Sequence, residues 1–211
     1  MTDKKKIVII GGVAGGASAA ARARRLSENA EIIMLERGPD ISFANCGLPY
    51  HISGTIEKRD RLLVVTPQKM HKRFNIDVRT NSEALAIDRK NKTVTVRKTN
   101  SGERYEESYD YLILSPGAEP VRPPIPGADN EKVFTLRSLG DMDAINEFIQ
   151  KHNPSTAAVI GGGYIGLEMA EALAERQVQV SLIELEKQVF IAADYEMAQP
   201  LHHHLELHGI D

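Results

Sequence analysis

Short, fully apolar runs that end in glycines and lead into alanine-rich stretches set the pattern of this chain. Ile7-Val8-Ile9-Ile10 stops at Gly11-Gly12-Val13-Ala14-Gly15-Gly16, and an alanine-rich stretch through Ala19-Ala20-Ala21 follows. Ala157-Ala158-Val159-Ile160 leads in the same way into Gly161-Gly162-Gly163-Tyr164-Ile165-Gly166 and a helical stretch to about Arg176. An apolar run of this length bounded by glycine predicts a buried strand, and the longer stretch behind it predicts a helix. Each unit then reaches a second strand that ends in an acid: Ile32-Ile33-Met34-Leu35-Glu36, and Val180-Ser181-Leu182-Ile183-Glu184. The same offset, 150 residues, separates Gly11 from Gly161 and Gly16 from Gly166. The chain is an internal repeat.

Strand, glycine turn, helix, strand and acid, in that order, form a dinucleotide-binding unit. Glycines let the backbone turn tightly and approach a pyrophosphate, whose charge sits on the amides at the helix N-terminus. The acid accepts hydrogen bonds from the adenosine ribose hydroxyls. A lone Gly-x-Gly-x-x-Gly is often an ordinary turn; two complete units in one chain are not. The second has the full Gly161-x-Gly163-x-x-Gly166 pattern, with Glu184 eighteen residues after Gly166. The first carries Val13 at the middle position and compensates with Gly15, so its pyrophosphate path is expected to be displaced. Two such sites imply two dinucleotides and electrons passing between them.

The region between the units changes period. Thr93-Val94-Thr95-Val96-Arg97 alternates, Asn100-Ser101-Gly102 marks a turn, and Tyr109 to Leu114 is a further strand-like run. Together these predict a small antiparallel β-ribbon. Ser115-Pro116-Gly117-Ala118 closes the last strand, and Pro120, Pro123, Pro124, Pro126 and Gly127 form a stiff linker. The domain boundary is therefore expected there: residues 1–119 as one domain, and residues 120–211 as the linker with the start of another. Asp141 to His152 reads as an amphipathic helix. The expected fold class is α/β, with two Rossmann-like units on parallel sheets. The first carries the ribbon and the second is incomplete.

Charge and composition narrow the functions. The 211 residues carry a net charge of −3, so no global basic field points to nucleic acid. No apolar run reaches the length that spans a bilayer. Lys4-Lys5-Lys6 before a small-residue stretch imitates a signal peptide, but the glycines inside it and Arg22, Arg24 and Arg25 after it contradict that. Cys46 is the single cysteine, which excludes a disulfide framework and fits a reducing, cytoplasmic compartment. His202-His203-His204 resembles a metal tract, yet adjacent side chains on a helix diverge, and the stretch reads as ordinary helix; no metal site is expected.

Cys46 stands in Ser42-Phe43-Ala44-Asn45-Cys46-Gly47-Leu48-Pro49-Tyr50, ten residues after Glu36. A lone cysteine is commonly a small buried hydrophobe. Here Asn45, Gly47 and Pro49 make an irregular turn, and nucleotide motifs flank it. With no second cysteine, the oxidised form of Cys46 is a mixed disulfide, a persulfide or a sulfenic acid.

With these motifs in place, the chain resembles the flavin-dependent pyridine nucleotide-disulfide oxidoreductases, and within them the single-cysteine branch. Asn45 and Leu48-Pro49-Tyr50 are most similar to the coenzyme A-disulfide reductases and the NADH-dependent persulfide reductases. The resemblance covers Lys6 to Asp211. It also implies that the chain is the N-terminal portion of a longer, homodimeric protein, and that this portion alone binds FAD weakly or not at all.

The resemblance implies an FAD-dependent enzyme that uses NADH to reduce coenzyme A disulfides or persulfides, with coenzyme A as substrate or as a mixed disulfide on Cys46. An NADH oxidase or peroxidase cycling Cys46 through sulfenic acid is a second reading, and an inactive nucleotide-binding fragment a third. Cys46 is the expected catalytic residue. The expected cofactor contacts are Gly11, Gly12, Val13, Ala14, Gly15, Gly16, Glu36, Arg37, Asn45 and Gly117 for the flavin nucleotide. For NADH they are Gly161, Gly163, Tyr164, Gly166, Glu168 and Glu184, with Tyr164 over the nicotinamide pocket and Glu168 toward the flavin edge. Ser18, Arg22 and Arg25 fall at i, i+4 and i+7 on one helical face, where arginine forks suit the coenzyme A phosphates. Ser42 and Asn45 flank the thiol and are expected on the pantetheine arm; Arg73, after Lys69 and Lys72, completes the substrate set.

Overall fold

The computed structural model describes residues 4–211. They divide into two compact units, residues 4–44 with 63–119 and residues 45–62 with 120–211.

In the first unit β1 (Lys6–Ile10), β2 (Glu31–Leu35), β3 (Asp77–Arg79) and β7 (Tyr111–Leu114) form a parallel sheet of order β3-β2-β1-β7. The register pairs Val8 with Ile33 and with Leu112. β-Branched residues fill β1 and β2 because both faces of the sheet are covered. Ile9, Ile32 and Met34 pack with Ala17 and Ala20 of α1 (Ala14–Leu26) and with Met70 of α3 (Pro67–Phe74). On the opposite face Val8, Ile33 and Leu35 meet Val94 and Val96. The small side chains of α1 let that helix lie close to the sheet.

Val94 and Val96 belong to a three-stranded antiparallel sheet, β4 (Ser82–Asp88), β5 (Thr93–Lys98) and β6 (Arg104–Ser108). The ribbon read from the sequence therefore needs one correction. The run at Tyr109–Leu114 is not its last strand: β7 pairs parallel with β1, entered through the Asp110 N–H bond to the Lys6 carbonyl at 2.9 Å. The third ribbon strand is the polar Arg104–Ser108, which apolar alternation does not reveal. Its inward residue is Glu107, buried and bonded to Arg79 and Lys6.

The second unit holds β8 (Thr156–Ile160) and β9 (Gln179–Ile183), paired parallel, with α5 (Tyr164–Glu175) between them in the chain. Met169, Ala170, Ala172 and Leu173 of α5 are buried. α4 (Leu139–His152) starts two residues before the Asp141 read from the pattern, because Ser138 and Asp141 close a capping box. α2 (Leu48–Ser53) also belongs to this unit and packs on α4 and α5. α6 (Tyr195–Leu207) ends the chain's helices and contains Pro200. Among the described residues no helix is long and apolar enough to cross a membrane.

Candidate functional site

The two glycine loops repeat each other bond for bond. Gly11 N–H donates to the Leu35 carbonyl and Gly161 N–H to the Ile183 carbonyl, both at 2.8 Å. Gly12 N–H donates to Glu36 Oε2 at 2.7 Å, and Gly162 N–H to Glu184 Oε2 at 2.5 Å. The other oxygen of each acid accepts from backbone beyond the strand: Glu36 Oε1 from Gly38 at 2.9 Å, Glu184 Oε1 from Leu185 at 2.7 Å and Glu186 at 3.1 Å. Each carboxylate thus fastens its glycine loop and keeps lone pairs free for further donors. Bonds from Gly162 N–H first, and then from Glu186 N–H, hold the Glu184 carboxyl below the usual glutamate range.

Glycine is required where the chain comes closest to itself. A Cβ on Gly16 would stand 1.7 Å from the Gly11 carbonyl oxygen, and one on Gly166 1.8 Å from that of Gly161. Both helices that follow start without a side-chain cap, at Val13 and at Gly163, and the first amides of a helix have no partner within it. A Cβ on Gly163 would meet nothing within 4 Å, so the second loop is open for close approach. In the first loop Ser115 backs the turn, and a Cβ on Gly15 would lie 3.1 Å from its Oγ. Open loops, uncapped amides and an acid with spare lone pairs fit dinucleotides at both sites.

One pair of residues in the repeat is invisible to a glycine pattern. Ser42 N–H donates to the Gly12 carbonyl at 3.0 Å and Phe190 N–H to the Gly162 carbonyl at 2.7 Å. Both take left-handed backbone, φ 45° at Ser42 and φ 54° at Phe190. Each fastens the second glycine of its loop, and neither residue type advertises that conformation.

The remaining nucleotide candidates are placed as follows. Arg37 pairs with Glu119, two residues beyond Gly117. Gly117 has φ 73°, in the turn after β7. Tyr164 is exposed and meets the Phe190 ring edge-on, with centroids 4.7 Å apart. Glu168 is half-buried on α5. Ala14 opens α1.

Cys46 is exposed on a single 3-10 turn, Asn45–Gly47, that runs into α2. Leu48, Pro49 and Ile52 are buried beneath it. Arg176, just after α5, donates to the Ile52 carbonyl at 2.8 Å and to Asn146 Oδ1 of α4 at 3.2 Å. Arg59 Nε reaches both carboxylate oxygens of Asp143, at 3.1 and 3.0 Å. The cysteine segment is thus tied to α4 and α5, although it lies far from them in the chain.

In the first unit α1 and α3 flank an open cleft of about 750 Å³. It brings together four expected substrate residues, Ser18, Arg25, Ser42 and Arg73, and adds Lys69 and Lys72 beside the apolar Val64, Val65 and Phe74. Arg22 is exposed on α1 and does not line it; Asn45 lies in the other unit. The Arg73 guanidinium stands 5.2 Å from the Phe74 ring centroid. Basic groups beside an aromatic ring and other apolar side chains suit a purine ring bearing phosphates. The sequence reading misses Lys69, Lys72 and Phe74 as a wall, since nothing in their spacing says that α3 faces α1.

His202 Nε2 accepts from Val189 N–H at 3.2 Å, and among the described residues no group of three His, Cys, Asp or Glu is placed to hold a metal ion.

Comparison with known proteins agrees with this architecture. A coenzyme A disulfide reductase of Staphylococcus haemolyticus is 42% identical over 202 residues, which is 96% of this chain and 45% of the relative. The crystal structure of reduced Bacillus anthracis CoADR-RHD superposes with a TM-score of 0.97 at 53% identity, over 99% of this chain and 38% of that one. The NAD-dependent persulfide reductase from A. fulgidus superposes with a TM-score of 0.93 at 39% identity, over 98% of this chain and 39% of that one. The chain spans a little under half the length of the curated relatives it matches. The family model for pyridine nucleotide-disulphide oxidoreductases matches residues 5–211, and the chain belongs to that family.

Proposed function

We propose that this chain carries the nucleotide sites and the redox thiol of an FAD-dependent, NADH-using reductase of coenzyme A disulfides or persulfides. The observation that carries this reading is the cleft beside α1 and α3, where Arg25, Arg73, Lys69 and Lys72 line one surface with apolar side chains. In this assignment residues 1–119 form the FAD-binding domain and residues 120–211 the linker and the start of the NAD-binding domain. The first glycine loop with Glu36, Arg37, Asn45 and Gly117 holds the flavin nucleotide; the second, with Tyr164, Glu168 and Glu184, holds NADH. Bound FAD supplies a two-electron relay between NADH and sulfur.

This chain's own part is to orient and exchange a disulfide. Arg25, Arg73, Lys69 and Lys72 bind the phosphates of coenzyme A, and Ser18 and Ser42 line the same cavity. Arg22 and Asn45 complete the assigned substrate set. The Cys46 thiolate attacks one sulfur of a coenzyme A disulfide. A bond forms between Cys46 and one coenzyme A, and the other coenzyme A leaves as its thiolate. Two electrons then cleave the mixed disulfide, release the second coenzyme A and restore the Cys46 thiolate. With a persulfide substrate the same attack leaves the outer sulfur on Cys46, and two electrons release it as sulfide. The protein works as a homodimer in the cytoplasm, where a lone reduced cysteine persists.

Cys46→Ser in the full-length protein tests this. Turnover of coenzyme A disulfide should vanish while flavin stays bound, and mass spectrometry of the unmutated protein after substrate treatment should find a coenzyme A adduct on Cys46. Disulfide reduction surviving in the variant would end the proposal; a sulfenic acid with no adduct would point to the peroxidase reading instead.

A further inference from the structure

We propose that Arg24 is a positioning residue for the coenzyme A cavity, setting the separation of α1 and α3 without touching the ligand. This rests on the proposed function. Arg24 sits on α1 beside Arg25 but faces elsewhere, lining a different cavity with Glu28 and His71. Its guanidinium is shared between two helix ends. Nε donates to the Phe74 carbonyl at 2.8 Å and Nη2 to the Asn75 carbonyl at 2.9 Å. Nη1 donates to the Glu28 carbonyl at 2.6 Å and to that of Ser27 at 3.2 Å. Ser27 and Glu28 follow the last turn of α1; Phe74 ends α3, and Asn75 is its left-handed cap.

A cation is favoured at a helix C-terminus, where carbonyl oxygens lack partners. One planar fork serves two such ends at once, which fixes the distance between them as well as neutralising both. The constraint matters because α3 is short and offers the core only Met70 and the half-buried Phe74. Arg73 and Phe74, stacked on each other, lie on the turn that Arg24 grips. Opposite them, Arg25 and Ser18 ride on α1. A shift of the α3 end would therefore move the phosphate-binding Arg73 and the Phe74 ring together, away from α1.

Lysine at this position keeps the charge but has one nitrogen in place of three, and cannot span the four carbonyls. The test uses Arg24→Lys and Arg24→Gln in the full-length flavoprotein with two substrates: coenzyme A disulfide, and pantethine, which carries the same disulfide without the nucleotide. Both variants should raise KM for coenzyme A disulfide by roughly tenfold, the equivalent of one charge-assisted hydrogen bond. Their kcat, their KM for pantethine and their flavin reduction by NADH should stay near the unmutated values. An unchanged KM for coenzyme A disulfide, or an equal rise for both substrates, overturns the inference; the second result would make Arg24 a general fold residue. Should Arg24→Gln fail to accumulate, Arg24→Lys decides alone. An unmutated enzyme that cannot turn over coenzyme A disulfide would instead bring down the proposed function, which separates the two failures.

Discussion

Each glycine loop is fastened by one carboxylate. Glu184 fastens the Gly162 amide and, under the proposed function, also meets the ribose of NADH. Because the Gly162 bond, and then the Glu186 bond, lower its pKa, it is anionic throughout the neutral range. A 2′-phosphate brought to it would meet a like charge and leave a hydrogen bond unmade, a cost of a few kcal/mol, or about a hundredfold in specificity. The unmutated enzyme should therefore prefer NADH, and Glu184→Arg should move the preference toward NADPH. Steady-state rates with both cofactors decide it, and an equal kcat/KM for the two in the unmutated enzyme would refute the assignment. The glycines and acids are legible in the sequence because their roles demand particular residue types at fixed spacing. Ser42 and Phe190 are not, since the left-handed backbone they adopt is imposed by the loop each one clamps.

At the level of elements, apolar periodicity locates β1, β2, β8, β9 and their helices, and it misplaces the ribbon. β6 escapes because its buried position is filled by a charge. Glu107 accepts from Arg79 on β3 and pairs with Lys6 on β1, so an ion trio joins the ribbon to the parallel sheet. Burial alone would raise the Glu107 carboxyl, but the bonds from Lys6 and Arg79 outweigh it and hold the group below the ordinary glutamate value. A carboxylate depressed in this way stabilises the fold fully above the ordinary value, about 4.5, and less as pH falls through its own. Glu107→Gln should lower stability at neutral pH by roughly 1–3 kcal/mol, since it strands two cations that solvent partly reaches. The gap to the unmutated protein should narrow as pH falls below the ordinary glutamate value and through the lower one of the folded state. Thermal melts across that range test the sign, and a gap that widens in acid would contradict it.

For the molecule as a whole, the chain passes between its two compact units at residues 44–45, 62–63 and 119–120. The excursion from Asn45 to Leu62 belongs with the second unit, where Leu48 and Ile52 are buried and Arg176 and Asp143 bind it. A specific-protease site inserted between Gly127 and Ala128, in the exposed linker, tests this. After cleavage the two pieces should co-elute on native gel filtration and part only in denaturant, because the first piece still carries α2. Pieces that separate without denaturant would show that those contacts hold little. The proline linker is readable from composition; this insertion is not, since its partners are specified far away by side chains with no periodic signature.

The same insertion sets rules for recombination. Grafting residues 120–211 from a relative, to change the nicotinamide specificity for example, would leave the native α2 against a foreign α4 and α5. Unless the donor supplies an arginine for the Ile52 carbonyl and an acid for Arg59, the turn bearing Cys46 would lose its footing even though no residue near the sulfur had changed. A working crossover therefore carries Asn45–Leu62 together with residues 120–211, as one heritable block interrupted in the gene.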